Sequence, residues 1–140
     1  MQYGARRRLL GLALGSTLAL GACAHHRHAD DAAADTDGLN SPPTDYKSEI
    51  LGAMHAYLND PTGIRSAGIA EPAIKAVGGS KRFVVCLQFN AKQNGNHYAG
   101  LREVAAVFVA GRFDHFVDPA KDACTGATYA PFPELEKLSR

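Results

Sequence analysis

Apolar and polar positions divide the chain into three textures. Behind a basic start at Arg6, Arg7 and Arg8, the run Leu9 to Leu20 is almost wholly apolar. From Ala24 to Thr44 large apolar side chains give way to Ala, His, Asp, Gly, Ser and Pro. Such a tract buries too little surface to offset its ordering entropy, which predicts a linker. Past Thr44 the apolar positions return with a period. Tyr46, Ile50, Leu51, Met54, Tyr57 and Leu58 recur at steps of three and four, one stripe on a helix. Thr44 is read as its N-cap, with Asp45 and Glu49 in the first turns, where the helix dipole favours negative charge. The helix should stop at Asn59-Asp60-Pro61, because a residue before proline is pushed out of the helical region.

Beyond Gly63 the period becomes that of extended chain. Ile64 to Ala70 and Ala73 to Val77 are candidate strands, the second ending at the turn signal Gly78-Gly79. Between Arg82 and Asn90, Phe83, Val85, Leu87 and Phe89 share one face of a strand. Val104 to Val109 is apolar on both faces, which predicts a central strand, with a short buried helix as the alternative. Ala110-Gly111-Arg112 turns this run into a last strand, Phe113 to Val117. The expected fold is therefore α+β: one N-terminal helix packed on a small antiparallel sheet of three to five strands, over residues 44–140. Strands in succession after a single helix argue against parallel βαβ units.

The apolar run behind the three arginines is too short for a permanent span, which needs about 20 apolar residues. Basic start, short apolar core and small-residue exit are the order of a secretory signal. The exit Leu20-Gly21-Ala22-Cys23 resembles the lipobox of bacterial lipoproteins. That resemblance implies removal of residues 1–22 and attachment of lipid, palmitate included, to Cys23. Residues 23–43 then form a lipid-anchored linker, whose ~20 flexible residues give a root-mean-square reach of ~25 Å. Ala24 stands where an aspartate would imply inner-membrane retention, so the expected place is the outer membrane, facing the periplasm.

Charge and cysteine count are changed by this processing. The chain holds 15 basic and 14 acidic side chains, but loss of Arg6, Arg7 and Arg8 leaves 12 and 14, a net charge of about −2. No electropositive body remains to neutralise phosphates, which argues against a nucleic-acid partner. Three cysteines are an odd number for an exported protein. Lipidation of Cys23 leaves Cys86 and Cys124 to pair in an oxidising compartment, and closing that loop of ~38 residues contributes roughly 3 to 4 kcal/mol in the chain-entropy model.

Candidate chemistry is sparse. His25, His26 and His28, with Asp30, Asp31, Asp35 and Asp37, are a dense set of possible metal ligands. A flexible tract lacks the fixed geometry and supporting hydrogen bonds of a specific zinc site. Weak divalent-metal capture is the alternative function this tract offers, and no cofactor is expected. His55 in the helix reads as a packed or half-exposed residue. No nucleophile with an identifiable base, phosphate-cradling loop or helical His-Glu-x-x-His occurs. A free Cys86 near His97 or His115 could be a thiolate nucleophile, an option that pairing with Cys124 removes. Asp114, His115 and Asp118 could be written as an acid/base group, but strand alternation puts His115 on the face opposite Asp114.

The segment from Asn90 to Gly100 is rich in amide, aromatic and glycine residues and joins the two clearest strands. It reads as a long hairpin connection or as a recognition loop on a rigid sheet, with Asn90, Lys92, Asn94, His97 and Tyr98 as its candidate binding residues. Val85-Cys86, Asn90-Ala91-Lys92, Gly95 and Tyr98-Ala99-Gly100, preceded by Leu58-Asn59-Asp60-Pro61, resemble a pattern recurring in small proteobacterial envelope proteins and lipoproteins of uncharacterised function. The likeness covers residues 44–138, including the ending from Pro131 to Leu138; Gln93 departs from the asparagine common there. It implies domain boundaries but no activity or ligand. The expected role is that of a non-enzymatic envelope accessory that binds another envelope protein or polymer.

Overall fold

The computed structural model describes residues 40–140. The expected signal over residues 1–22, Cys23 and the histidines His25, His26 and His28 lie outside the described residues. Helix α1, Tyr46–Tyr57, turns the stripe of the sequence into a packed face: Ile50 and Met54 are fully buried, and Leu58 closes the helix as its C-cap. Asp45, not Thr44, is the N-cap, and no side chain caps the helix there. Glu49 is used across the fold instead, bonding the Phe113 amide at 2.5 Å and the Arg112 guanidinium at 2.9 Å. It thereby staples the first turns of the helix to the sheet edge. The helix lies well inside the chain rather than at its N-terminus.

Eight strands follow: β1 Arg65–Ile69, β2 Ala73–Val77, β3 Ser80–Asn90, β4 Lys92–Asn94, β5 His97–Tyr98, β6 Arg102–Val109, β7 Arg112–Val117 and β8 Ala130–Pro131. Six form one antiparallel sheet in the order β7-β6-β3-β1-β8, with β2 also on β3; β4 and β5 pair separately. The fold is thus mixed and rich in antiparallel sheet, with more strands than the expected three to five. Short pieces such as β8 lack the run length that makes a strand legible. The run Val104–Val109 is a strand, and its all-apolar character reflects a sheet covered on both faces.

Strand β3 is the axis of the sheet. Its whole length from Phe83 to Phe89 pairs with β6 on one side. On the other side β2 pairs with its first half and β1 with its second, so β2 and β1 lie end to end, separated by Ala70-Glu71-Pro72. Alternation sends Val85, Leu87 and Phe89 to the α1 face, where they join Ile50, Met54, Val104, Ala106 and Phe108. Val84 and Cys86 point to the other face, with Ala105 and Val107. That second face is covered by the chain after β7: a 3-10 turn, Lys121–Cys124, packs Ala120 and Cys124 onto it. The expected disulfide is present, joining Cys86 to Cys124 with a Cα–Cα distance of 5.7 Å. Helix α2, Pro133–Glu136, closes the chain by burying Leu135 beside Phe132.

One expectation is overturned inside β7. Register slips between β6 and β7, with Phe108 opposite Phe113 and Val107 opposite His115. Asp114 is therefore the extra residue of a bulge, and simple alternation fails there. Asp114 and His115 come together, Oδ2 to Nδ1 at 2.6 Å, both about half exposed.

Candidate functional site

The segment between β3 and β6 folds as a hairpin of its own, β4–β5, standing off the end of the main sheet. Lys92 pairs with Tyr98 and Asn94 with His97, with Gln93 bulged between. Gly95 takes a φ of 60° in the turn, a conformation glycine adopts without a Cβ penalty. The root is held by four contacts. Asn90 Oδ1 accepts the Gly100 amide at 2.9 Å, and the Ala99 amide donates to the Ala91 carbonyl at 3.2 Å. The Tyr98 hydroxyl donates to the Gly63 carbonyl at 2.8 Å. The Arg65 guanidinium sits 4.1 Å above the Tyr98 ring, within range for cation–π attraction.

Gly63 allows this approach. It has a φ of 67°, and a Cβ there would stand 3.1 Å from both Cε and Nζ of Lys92. The Asp60–Thr62 turn beside it is tied by the Thr62 hydroxyl at 2.6 Å and the Thr62 amide at 3.0 Å. Those bonds, helped by Arg140 and Lys92, hold the Asp60 carboxyl below its ordinary pKa.

The five candidate loop residues therefore divide. Asn90, Lys92 and Tyr98 belong to the root, where their side chains brace the hairpin. Asn94 and His97 stand exposed at the tip with Gln93. Beneath the hairpin lies a cleft of about 250 Å³, lined by Tyr57, Leu58, Asn59, Lys92, Gln93 and Arg102 among others.

Arg102 and Tyr57 are the site residues that sequence reasoning missed. The Arg102 guanidinium lies 5.0 Å from the Phe89 ring centre and 5.4 Å from that of Tyr57. It reaches Asp118 at 3.2 Å and the Tyr57 hydroxyl at 3.4 Å, while its Nε is buried with no partner in the structure. The Tyr57 hydroxyl donates to Asp118. Burial first, and then that bond to a carboxylate, push its pKa up to about 12, partly opposed by the Arg102 charge. Only the aromatic position at the end of α1 hinted at this cluster. Nothing in the sequence places Arg102 against two rings, because the three partners come from α1, β3 and the end of β7.

The arrangement suits recognition of polar groups: Lys92, Arg102 and the side-chain amides of Asn59 and Gln93 line the cleft, Arg102 being paired with Asp118, beside a hydrogen-bonded root. Cys86 is held in the disulfide, so the thiolate option considered for it is closed. Among the described residues no group of three His, Cys, Asp or Glu side chains could hold a metal ion. None of their helices is long and apolar enough to cross a membrane. The chain matches no protein-family profile, no curated protein and no solved structure.

Proposed function

We propose that the protein is a non-catalytic, lipid-anchored accessory of the bacterial outer membrane, which recognises another envelope protein or polymer through the β4–β5 hairpin. The observation behind this reading is the division of the hairpin into a braced root and an exposed tip. Ordering a loop costs roughly 1–2 kcal/mol per residue. A root already tied to Gly63, Gly100 and Arg65 removes much of that cost from binding. The signal-like start and Cys23 supply the anchor in this reading, and residues 23–43 supply the reach.

Site-specific photo-crosslinking in cells from Gln93, Asn94 and His97 tests it, with the exposed Lys47, in the first turn of α1 and at the opposite end of that helix from Tyr57, as the comparison position. The expected result is one recurring envelope adduct from the hairpin positions, absent from Lys47 and weakened by Lys92→Ala. Adducts indistinguishable from those at Lys47 would refute it. Intact mass of the membrane-extracted protein should show a lipid adduct at Cys23, and an unmodified chain would remove the anchor from the proposal.

A further inference from the structure

At the other end of β3, away from the hairpin, the sheet keeps an open edge. The β2–β3 turn is the two-residue Gly78-Gly79, with φ of 57° and 81° and Val77 opposite Ser80. Positive φ at both positions is the signature of a type I′ hairpin, whose flanking residues exchange both backbone bonds. Narrow and wide pairs then alternate along an antiparallel ladder. Ala73, Lys75 and Val77 consequently turn their amides and carbonyls to β3, while Ile74 and Ala76 turn theirs outward. Among the described residues no strand pairs with that outer side and no hydrogen bond reaches either amide. Strand β8 covers the same edge one step along, where it pairs with Gly68 and Ile69. Before Ala130 the chain turns toward the disulfide and walls the groove face, with the Thr125 carbonyl accepting from Lys75, so among the described residues no strand lies beside β2.

A groove of about 410 Å³ adjoins this edge, with Ala70, Ala73, Val84, Cys86 and Tyr129 in its walls; Glu71 also lines it, its carboxylate accepting the Tyr46 hydroxyl at 3.1 Å. Its floor is apolar, and Ile74 on the reverse face is 54% exposed. At one end Lys75 stands directly opposite Arg82 on the groove face, a like-charge pair that disfavours the sheet unless something answers it. Both find only carbonyls, of Thr125 and Lys81 respectively, and no carboxylate among the described residues pairs with Lys75, Lys81 or Arg82.

We infer that β2 is a docking edge for an extended acidic peptide segment, which adds as an antiparallel strand beside Ile74 and Ala76. Main-chain bonds supply affinity and alternate side chains supply selectivity in this mode of recognition. Residues directly opposite share a face, so the register fixes the occupant's chemistry. An acidic side chain faces Lys75 and Arg82, the next residue lies against Ile74, and the third, apolar, enters the groove beside Ala73. In chain order the segment reads acidic, apolar, apolar.

A fluorescein-labelled peptide with the core Asp-Val-Val, titrated into the full-length protein by anisotropy, tests the assignment. Saturable binding is expected, with slowed hydrogen exchange at the Ile74 and Ala76 amides. Ala76→Pro deletes an outward N–H without touching the β2–β3 ladder and should weaken binding about tenfold or more. Should that variant fail to fold, alternate N-methylation of the peptide removes the complementary bonds, those its own amides donate to the Ile74 and Ala76 carbonyls. The Lys75→Glu/Arg82→Glu pair should reject the acidic peptide and accept Lys-Val-Val. Binding indifferent to proline, to N-methylation and to charge exchange overturns the inference, as does an absence of saturable binding. So does preferential binding of dodecanoate or anionic vesicles in the groove, which would make it a lipid site. Loss of crosslinks from the β4–β5 hairpin would leave this edge untouched, and the two ideas fail separately.

Discussion

Tyr57 shows how one side chain can serve both the core and the cleft. Its ring packs on Phe116 at 4.7 Å between centres, and its hydroxyl is given to Asp118 beside the Arg102 guanidinium. The phenol's pKa is raised from 10.0 to about 12 in the folded protein. The neutral phenol is therefore favoured by folding. Its contribution is fully present below the unfolded value and disappears as pH rises through the folded one. Denaturant midpoints measured across that interval should fall with pH in the parent. In Tyr57→Phe this part of the fall should be missing, and below it the variant should be less stable by roughly 0.5–1.5 kcal/mol for the lost hydrogen bond. An unchanged alkaline profile would show that the hydroxyl is not held in this way.

Among the elements, the segment 120–131 depends most on a single link. It contains one short 3-10 turn and a two-residue strand, and small side chains such as Ala120 and Ala127 supply much of its apolar contact. Its attachment to β3 rests largely on Cys86–Cys124. Replacing both cysteines with serine should lower stability by about 2–4 kcal/mol in urea unfolding. Hydrogen exchange should quicken in residues 120–129 before it does in β3 or β6. Uniform quickening across the sheet would show instead that the segment is integral to the cooperative core. Because this segment also walls the β2 groove, the same variant should reduce peptide docking more than it changes crosslinking from the distant hairpin.

At the scale of the molecule, β3 and β6 carry both cores, one on each face of the sheet. Phe89 and Phe108 are among the largest fully buried side chains and lie on the α1 side. Phe89→Ala should cost about 3–5 kcal/mol by loss of burial and an incompletely closed cavity. It should also disturb the candidate cleft, since Arg102 rests on the same ring. Ile74→Ser, at an exposed edge position, should stay within roughly ±0.5 kcal/mol while weakening peptide docking. Thermal and urea unfolding of the two variants checks the contrast; similar losses would contradict the placement of Ile74 at an open edge.

The sequence by itself determined the parts that obey a period or a count. The stripe from Tyr46 to Leu58 needed only its spacing to predict α1. Phe83, Val85, Leu87 and Phe89 needed only alternation to place β3 with one face inward, and the Gly78-Gly79 turn already marked the end of β2. Cysteine parity pointed to Cys86–Cys124, because the expected lipidation of Cys23 leaves these two as each other's partners, and the structure joins them. Tertiary structure alone decided what depends on distant segments meeting. The bulge at Asp114 inverted the expected separation from His115, since one extra residue cancels a period of two. Glu49 stands in the first turn of α1 as its spacing implied, but its bonds to β7 depend on the Phe113 amide and Arg112 guanidinium being brought within reach. Asn90, Lys92 and Tyr98 were legible as a loop but not as its root, for Gly63 and Arg65 are remote in sequence. Arg102 gave no local sign at all. Its place between Phe89, Tyr57 and Asp118, like the open edge of β2, comes from strand order, which the pattern of a single strand does not encode.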